Sequence, residues 1–420
     1  MSATQAATKS LENYFGGFGR ALSNRNYRIY WTGQVLHVQG WWLYRIAAGW
    51  LMFDLTHSPA WLGAVGFALA APFLILSPIA GAICDRAGHR RTAIIAILFG
   101  FPIMAATAAL TWSGAMTPQL LFILVIVQSI FTAFELPARQ SLVPVLIGRR
   151  HLTEGMSLNW ATFNAAFIPG PMLAGLLLVA GGAALTFTVA TSTFAWMLFM
   201  LVRIRGKGDA PHRRFHLDGL MSDVNSGIVY TFRHPLIPYV IGFHMILGLL
   251  IRPYVELMPG VVAVVFDAGV QGLANLLAVS GAGALVVSIA MMMAGRERWL
   301  MGIMVWTQII SALTLAAFAA TNIMWIALIA VFLAGGFTTA AGIAAATLVQ
   351  QTIDADYRGR VVALSLATTM GTPALGAFGI GWLAEGIGFQ GALLAAAVFA
   401  MALMVLTGRR VYEARSATRE

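Results

Sequence analysis

The amino-acid sequence predicts an all-α integral membrane protein with twelve transmembrane helices, arranged as two pseudo-symmetric six-helix bundles. Of its 420 residues, 59% are hydrophobic and only 10% carry a charge, whereas about 25% of the residues of a soluble domain are charged. The apolar residues form twelve long runs, and the basic residues lie in alternate loops between those runs. This composition excludes a water-soluble enzyme.

Each apolar run reaches the roughly 20 residues that a helix needs to cross the ~30 Å hydrocarbon layer of a membrane. Charged segments or segments rich in Gly and Pro separate the runs. The predicted spans cover residues 28–53, 60–83, 92–112, 119–146, 156–179, 184–203, 236–262, 270–293, 299–319, 323–349, 361–384 and 389–408.

The charges indicate how the spans are oriented. Lys and Arg outnumber Asp and Glu by 26 to 16, and they lie in every second loop, whereas the loops around Asp54 and Gly181 contain none. Because cytoplasmic loops collect basic residues, we expect both termini on the cytoplasmic side of a bacterial inner membrane. This orientation explains the positive net charge without a nucleic-acid partner. The polar stretch 1–25 does not resemble a signal peptide.

The longest connector, residues 204–235, divides the chain into an N-terminal bundle, 1–203, and a C-terminal bundle, 236–420. Short similarities between the two halves favour a repeated architecture, as in secondary transporters, although two Ala/Gly-rich helices can also resemble each other by chance. The second part of the connector has apolar residues at helical spacing, which predicts an amphipathic helix on the inner membrane surface. A partly disordered linker is the alternative. The apolar positions are Leu217, Met221, Val224, Ile228 and Phe232.

The loop between spans 2 and 3 reads Gly81-Ala-Ile-Cys-Asp-Arg-Ala-Gly-His-Arg-Arg91. Positive charge at the cytoplasmic surface explains only its final arginines. The run resembles the G-x-x-x-D-R-x-G-x-R-R signature of the major facilitator superfamily, and within it the enterobactin-exporter-like group of bacterial efflux proteins. The resemblance implies that this loop latches the cytoplasmic side when the carrier opens outward. The latch residues are Gly81, Asp85, Arg86, Gly88, Arg90 and Arg91.

Span 5 contains a segment of prolines and small residues that resembles the antiporter motif G-x-x-x-G-P-x-x-G-G of exporters in this superfamily. The matching positions are Gly170, Pro171 and Gly175, whereas Ala166 and Ala174 replace two glycines of the motif. The resemblance favours export. A purely structural kink is the alternative, because proline removes a backbone donor and small residues allow close helix packing.

Polar side chains recur at helical spacing in spans 1, 4 and 7, so that each set forms one stripe. Ionisable residues inside a membrane usually face a cavity or a partner, and the family resemblance implies that these spans line a central cavity. The candidate substrate-binding residues are Gln34, His37, Trp41, Arg45, Glu135, Arg139, His244, Arg252 and Glu256.

Three arginines against two glutamates leave the predicted path with an excess positive charge. This favours an anionic or amphipathic solute, since guanidinium groups bind carboxylate, catecholate or phosphate groups. The alternative is internal pairing at i,i+4 between Glu135 and Arg139, and between Arg252 and Glu256. No nucleotide-binding motif is present, so proton exchange is the expected energy source, with Glu135 and Glu256 as proton carriers.

These observations predict a proton-coupled exporter that works by alternating access. A lysophospholipid flippase of the same fold is one alternative, and a receptor that transports nothing is another. We expect membrane lipids, a small-molecule substrate and protons as partners of a monomeric protein. The sequence indicates no cofactor, no metal ligand set and no catalytic constellation.

Overall fold

A computed structural model describes residues 19, 21–148, 151–166, 169–204, 226, 228–294, 299–354 and 357–417. The residues that it describes fold into helices joined by short loops and contain no β-strand. The helices are α1 (Arg25–Thr56), α2 (Pro59–Ala87), α3 (His89–Trp112), α4 (Pro118–Ile147), α5 (Leu152–Ala165), α6 (Pro169–Arg203), α7 (Ile237–Ile246), α8 (Tyr254–Val264), α9 (Gly269–Ala294), α10 (Leu300–Ala319), α11 (Met324–Thr352) and α12 (Arg358–Ala417).

The predicted fold class is confirmed. By length and composition, eight helical stretches among the described residues are apolar enough to cross a membrane. Predicted span 5 is divided between α5 and α6, so that α6 contains the second part of span 5 together with span 6, whereas α12 contains spans 11 and 12. In α6 and in α12, a glycine in the left-handed region interrupts the helix between the two spans. Gly182, with φ of 67°, divides α6 between spans 5 and 6, and Gly388, with φ of 73°, divides α12 between spans 11 and 12. Both breaks lie where the sequence predicted a loop.

Local chemistry sets several helix ends. At α4, the Thr117 hydroxyl accepts a hydrogen bond from the backbone N–H of Leu120 at 3.3 Å, and Pro118 occupies the first helical position. Both features are typical of helix N-termini. Between α2 and α3 the chain turns within one residue, Gly88, whose φ of 90° favours glycine.

Span 7 is interrupted, although the sequence predicted one continuous helix. A π-helical turn, Leu247–Ile251, separates α7 from α8, and the backbone N–H of Arg252 donates to the carbonyl of Leu247 at 2.9 Å. Pro253 follows directly and has no N–H to continue the helical pattern. The glycine Gly376 of α12 packs against this turn, where a side chain would overlap the Leu249 carbonyl. The π-helical turn changes the rotation of the side chains of α8 about the helix axis relative to those of α7, so the predicted stripe of residues four apart does not continue regularly through it.

The contacts divide the chain into two compact units. The first contains the described residues within 1–47 and 72–215, and the second those within 48–71 and 216–420. In the first unit, α3 packs against α4 and α6; in the second, α11 packs against α9 and α10, and α12 packs against the interrupted span 7. The predicted domains 1–203, 204–235 and 236–420 stay a prediction.

Within the second unit, the end of α1 and the beginning of α2 pack against α12. The Ser58 hydroxyl donates to Glu385 at 3.0 Å, and the rings of Phe53 and Phe389 lie 5.8 Å apart. At the crossing of α2 and α12, a side chain at Gly63 would overlap the backbone carbonyl of Ala377. The turn between spans 1 and 2 is therefore held by polar and apolar contacts.

Of the connector, residues 204, 226 and 228–235 are described. Residues 228–233 are helical, with Phe232 72% exposed and Thr231 buried. The predicted amphipathic helix on the inner membrane surface stays a prediction. Leu217, Met221 and Val224 lie outside the described residues.

Candidate functional site

The first unit contains a buried polar cluster that joins α1 to α4. Its members are at most 5% exposed, and they belong to the polar stripes predicted for spans 1 and 4. The spacing of these residues places them on facing sides of two regular helices. We call this the buried cluster; it consists of Tyr30, Gln34, His37, Glu135 and Arg139.

One carboxylate oxygen organises the buried cluster. Oε1 of Glu135 lies 2.6 Å from Nε2 of His37 and 2.5 Å from Nε of Arg139. The guanidinium donates from a terminal nitrogen to Oε1 of Gln34, and the Tyr30 hydroxyl donates to the backbone carbonyl of Arg139 at 3.2 Å. The predicted i,i+4 pairing of Glu135 with Arg139 is therefore present, and Gln34 and His37 of α1 contact the pair.

The pairing stabilises the fold, because burying a charge without a partner costs several kcal/mol. With Glu135 ionised and Arg139 cationic, the buried cluster is neutral. The ring of His37 also packs on Phe194 of α6, with 4.1 Å between the ring centroids. Phe194 is a neighbour that sequence reasoning missed, since no charge or motif marks it.

The part of the span 1 stripe that lies nearer the C-terminal end of α1 has a different environment. Trp41 and Arg45 are only half-buried, and the guanidinium carbon of Arg45 lies 5.2 Å from the centroid of the Trp41 indole. This is a cation–π arrangement. Trp41 also meets the buried Trp42 edge to face, at 5.2 Å. The stripe therefore runs from a sealed, neutral section to an accessible section that presents a cation on an aromatic ring.

The candidate residues of span 7 lie in the second unit. His244 of α7 is buried, with Gly342 of α11 beside its ring, whereas Arg252 and Glu256 are half-buried. The aliphatic part of Glu256 packs beside Gly66 of α2. The structure thus leaves Arg252 and Glu256 partly accessible, whereas His244 is buried.

The latch residues are described only in part. The side chains of Gly81, Asp85 and Arg86 lie outside the described residues, although their backbone belongs to α2. Arg90 donates from Nε to the carbonyl of Leu201 at 2.9 Å and from a terminal nitrogen to that of Val202 at 3.0 Å. A cation at this position stabilises the C-terminal end of α6.

Arg91 is exposed on the surface of α3. The latch role of this loop, including Gly88 and Arg91, stays a prediction.

The antiporter-like motif lies at the beginning of α6, where Gly170, Pro171 and Gly175 are all buried. Gly170 contacts the indole of Trp42 so closely that an added Cβ atom would lie 2.6 Å from its Cγ atom. The motif glycine therefore allows α1 and α6 to approach each other, as small residues do in membrane helix packing.

We expect Gly170→Ala to lower the free energy of unfolding by about 1–3 kcal/mol, because the rigid indole of Trp42 cannot move away without shifting α1. Thermal unfolding of purified protein, followed by tryptophan fluorescence, measures the effect. Gly242→Ala is the matched control, since no heavy atom lies within 4 Å of its added Cβ. Equal stability of the two variants would contradict the proposed close approach.

A second polar cluster, which sequence reasoning missed, lies outside the predicted spans in the second unit. The Tyr230 hydroxyl donates to Oδ2 of Asp354 at 3.0 Å, and the rings of Tyr230 and Tyr357 stack at 4.2 Å. His234 accepts hydrogen bonds at Nδ1 from the backbone N–H groups of Leu236 and Ile237 at the start of α7. The end of the connector is therefore fastened to the loop between α11 and α12.

Burial lowers the pKa of His234 below its ordinary value of 6.5, although the nearby Asp354 carboxylate opposes the shift. The folded protein therefore binds this proton less readily than the unfolded chain. Its stability should decrease as the pH falls below about 6.5 and should be unaffected by this group at higher pH.

His234→Asn keeps an acceptor suited to a helix N-terminus and removes the titration. We expect the stability of this variant to depend less on pH between about 7 and 5 than that of the unmodified protein. Unfolding measured in the same detergent across that range tests the difference. Parallel curves for the two proteins would show that His234 does not contribute.

Sequence comparisons identify the class of protein. A bundle of apolar spans with ionisable residues buried inside it is typical of a multi-pass membrane transporter. The major facilitator family model described as "Transmembrane secretion effector" matches residues 19–418, so the chain belongs to that family of major facilitator superfamily transporters. It is a transporter and not an enzyme.

Relatives of known name agree with this family. The chain is 28% identical to the uncharacterised transporter YfiS of Bacillus subtilis over 411 residues, which cover 91% of this chain and 93% of that protein. It is 30% identical to the staphyloferrin A transporter of Staphylococcus aureus, but over only 38% of this chain and 41% of that protein. It is 24% identical to the multidrug efflux pump Tap of Mycobacterium tuberculosis over 44% and 46% of the two chains.

Solved structures share the fold. A bacterial homologue of the lysosomal transporter Spinster superposes with a TM-score of 0.71 at 13% identity, covering 95% of this chain and 98% of that one. The nucleoside transporter NupG superposes with a TM-score of 0.68 at 16% identity, covering 92% and 99%. At these identities the likeness concerns the fold alone.

Proposed function

We propose that this transporter exports a small anionic or amphipathic solute in exchange for protons. The observation that carries the proposal is the buried cluster, in which a carboxylate shares one oxygen between an arginine and a histidine. Ionisable groups inside a membrane protein are costly and mark proton or substrate pathways. Glu135 is then the proton carrier of the first unit, with Glu256 as the candidate in the second.

The accessible section of span 1 supports the solute class. Arg45 offers hydrogen-bond donors to an anionic group, and Trp41 offers an aromatic face beside it. An amphipathic anion matches both features. Export is favoured by the antiporter-like motif at Gly170 and by a relative named as a multidrug efflux pump.

We propose that the protein acts as a monomer in a bacterial cytoplasmic membrane, with both termini in the cytoplasm. The loops that contain Lys and Arg support that orientation. The solute, protons and lipids are its partners.

Purified protein in proteoliposomes tests this function. A thermal-shift screen first compares 2,3-dihydroxybenzoate, ethidium and lysophosphatidylglycerol as probes, with and without Arg45→Ala. We expect the small catecholate to raise the Tm of the unmodified protein and not that of Arg45→Ala. Binding of the lysolipid alone would favour a flippase instead.

Release of labelled 2,3-dihydroxybenzoate from loaded vesicles then tests coupling. An acidic exterior should accelerate release, and Glu135→Gln should abolish that acceleration while counterflow between equal probe concentrations continues. If Glu135→Gln and Glu256→Gln both leave gradient-driven release intact, proton coupling through these carboxylates is wrong. Absence of counterflow for every probe would instead indicate a receptor.

A further inference from the structure

Among the described residues, the histidine of the buried cluster is the only proton-exchanging group found in contact with Oε1 of Glu135. That oxygen is contacted by Nε of Arg139 at 2.5 Å and Nε2 of His37 at 2.6 Å. A guanidinium does not release its proton in proteins, whereas an imidazole both accepts and donates one. A proton that reaches this oxygen from a neighbouring side chain therefore comes through His37.

The other nitrogen of the ring has no hydrogen-bond partner. Nδ1 of His37 is buried and unpartnered among the described residues, and the whole side chain is 1% exposed. When Nε2–H donates to a carboxylate, Nδ1 is a bare acceptor, and a buried acceptor without a donor is rare enough to require an explanation. The charged groups that act on the ring are Glu135 and Arg139, and α6 contributes the apolar ring of Phe194.

We propose that His37 relays protons to Glu135, with Nδ1 as the point of entry; this inference rests on the proposed proton-coupled export. In the first state, Glu135 is a carboxylate that accepts the Nε2–H of a neutral imidazole. A proton binds at Nδ1, and the Nε2 proton moves to Oε1. In the second state, a neutral carboxyl group donates to Nε2 of an imidazole that carries its hydrogen on Nδ1. One proton is gained, and the cluster changes from neutral to a single positive charge.

Infrared difference spectroscopy of the full-length protein in lipid nanodiscs, recorded after pH jumps, tests the relay without any solute. In the unmodified protein we expect the protonated carboxyl band and the imidazole tautomer band to share one pH midpoint, and Glu135→Gln to lose the carboxyl band. His37→Gln keeps an N–H donor for Glu135 but cannot take up and release a proton, so it should slow the appearance of the carboxyl band by about 100-fold. His57→Gln, at an exposed histidine, should change neither.

Two results overturn the relay: an unchanged rate and midpoint in His37→Gln, or separate midpoints for the two bands in the unmodified protein. The comparison of the two midpoints needs only the unmodified protein, so it tests the relay even if His37→Gln does not fold. Failure of the proposed function looks different. In that case the bands share a midpoint while vesicles containing the unmodified protein show no gradient-driven release of 2,3-dihydroxybenzoate.

Discussion

Arg139→Met is expected to destabilise the protein by about 3–5 kcal/mol, because it leaves the Glu135 carboxylate buried without its guanidinium partner. Methionine has a similar length and fits among the same neighbours, so lost packing contributes little. The hydrogen bond to Gln34 is lost as well. Unfolding in mixed micelles, monitored by tryptophan fluorescence, gives the free energy.

The double variant Glu135→Gln/Arg139→Met separates charge from packing. Removing both charges should recover most of the loss, since replacing a buried pair by neutral groups is often close to neutral in stability. The interaction energy of the cycle is then the difference between the double variant and the sum of the single ones. A double variant as unstable as Arg139→Met would show that the ion pair is not the source of the cost.

Arg139→Lys provides a finer comparison. The guanidinium contacts Glu135 with one nitrogen and Gln34 with another, whereas an ammonium is a compact charge on a flexible stem. We expect an intermediate stability, because the lysine keeps the charge but cannot hold both partners in the same geometry. This result would also show that the fork shape of arginine contributes to the joint between α1 and α4.

Regular helices made much of this site predictable. Steps of three and four residues placed Gln34 and His37 on one face of α1 and Glu135 and Arg139 on one face of α4. The spacing could not show that His37 and Arg139 share the same carboxylate oxygen, since that depends on how the two helices face each other. Nor could it assign Phe194, whose role comes only from its position beside the His37 ring.

Span 7 shows where the periodic pattern fails. A stripe of residues four apart assumes a regular helix, but Pro253 removes a backbone donor and the preceding turn widens to a π-helix. The sequence shows the proline, but it does not show how the irregular turn rotates Arg252 relative to Glu256 about the helix axis. The contact of Tyr230 with Asp354 was equally hidden, because it joins residues 124 positions apart.

Gly283→Val is expected to lower stability by about 3 kcal/mol or to prevent folding, because its Cβ would overlap the backbone carbonyl of Phe332. The glycine lies where α9 crosses α11. On the facing helix, a side chain at Gly335 would meet the carbonyl of Ser280, and one at Gly336 would meet Val287 at 2.8 Å. Backbone atoms cannot rotate away as a side chain can, so the two helices would have to separate.

Gly379→Val on α12 is the matched control, since Gly379 is exposed and no heavy atom lies within 4 Å of its added Cβ. The two substitutions add the same side chain in a helix, so their difference reports the crossing and not helix propensity. Yield, monodispersity and unfolding free energy should all fall for Gly283→Val alone. An equal loss of stability in both variants would show that valine destabilises each helix by itself. A loss in Gly283→Val alone would show that small residues set the distance between α9 and α11. Small residues have this role in membranes because apolar lipid provides no hydrophobic driving force for helix association.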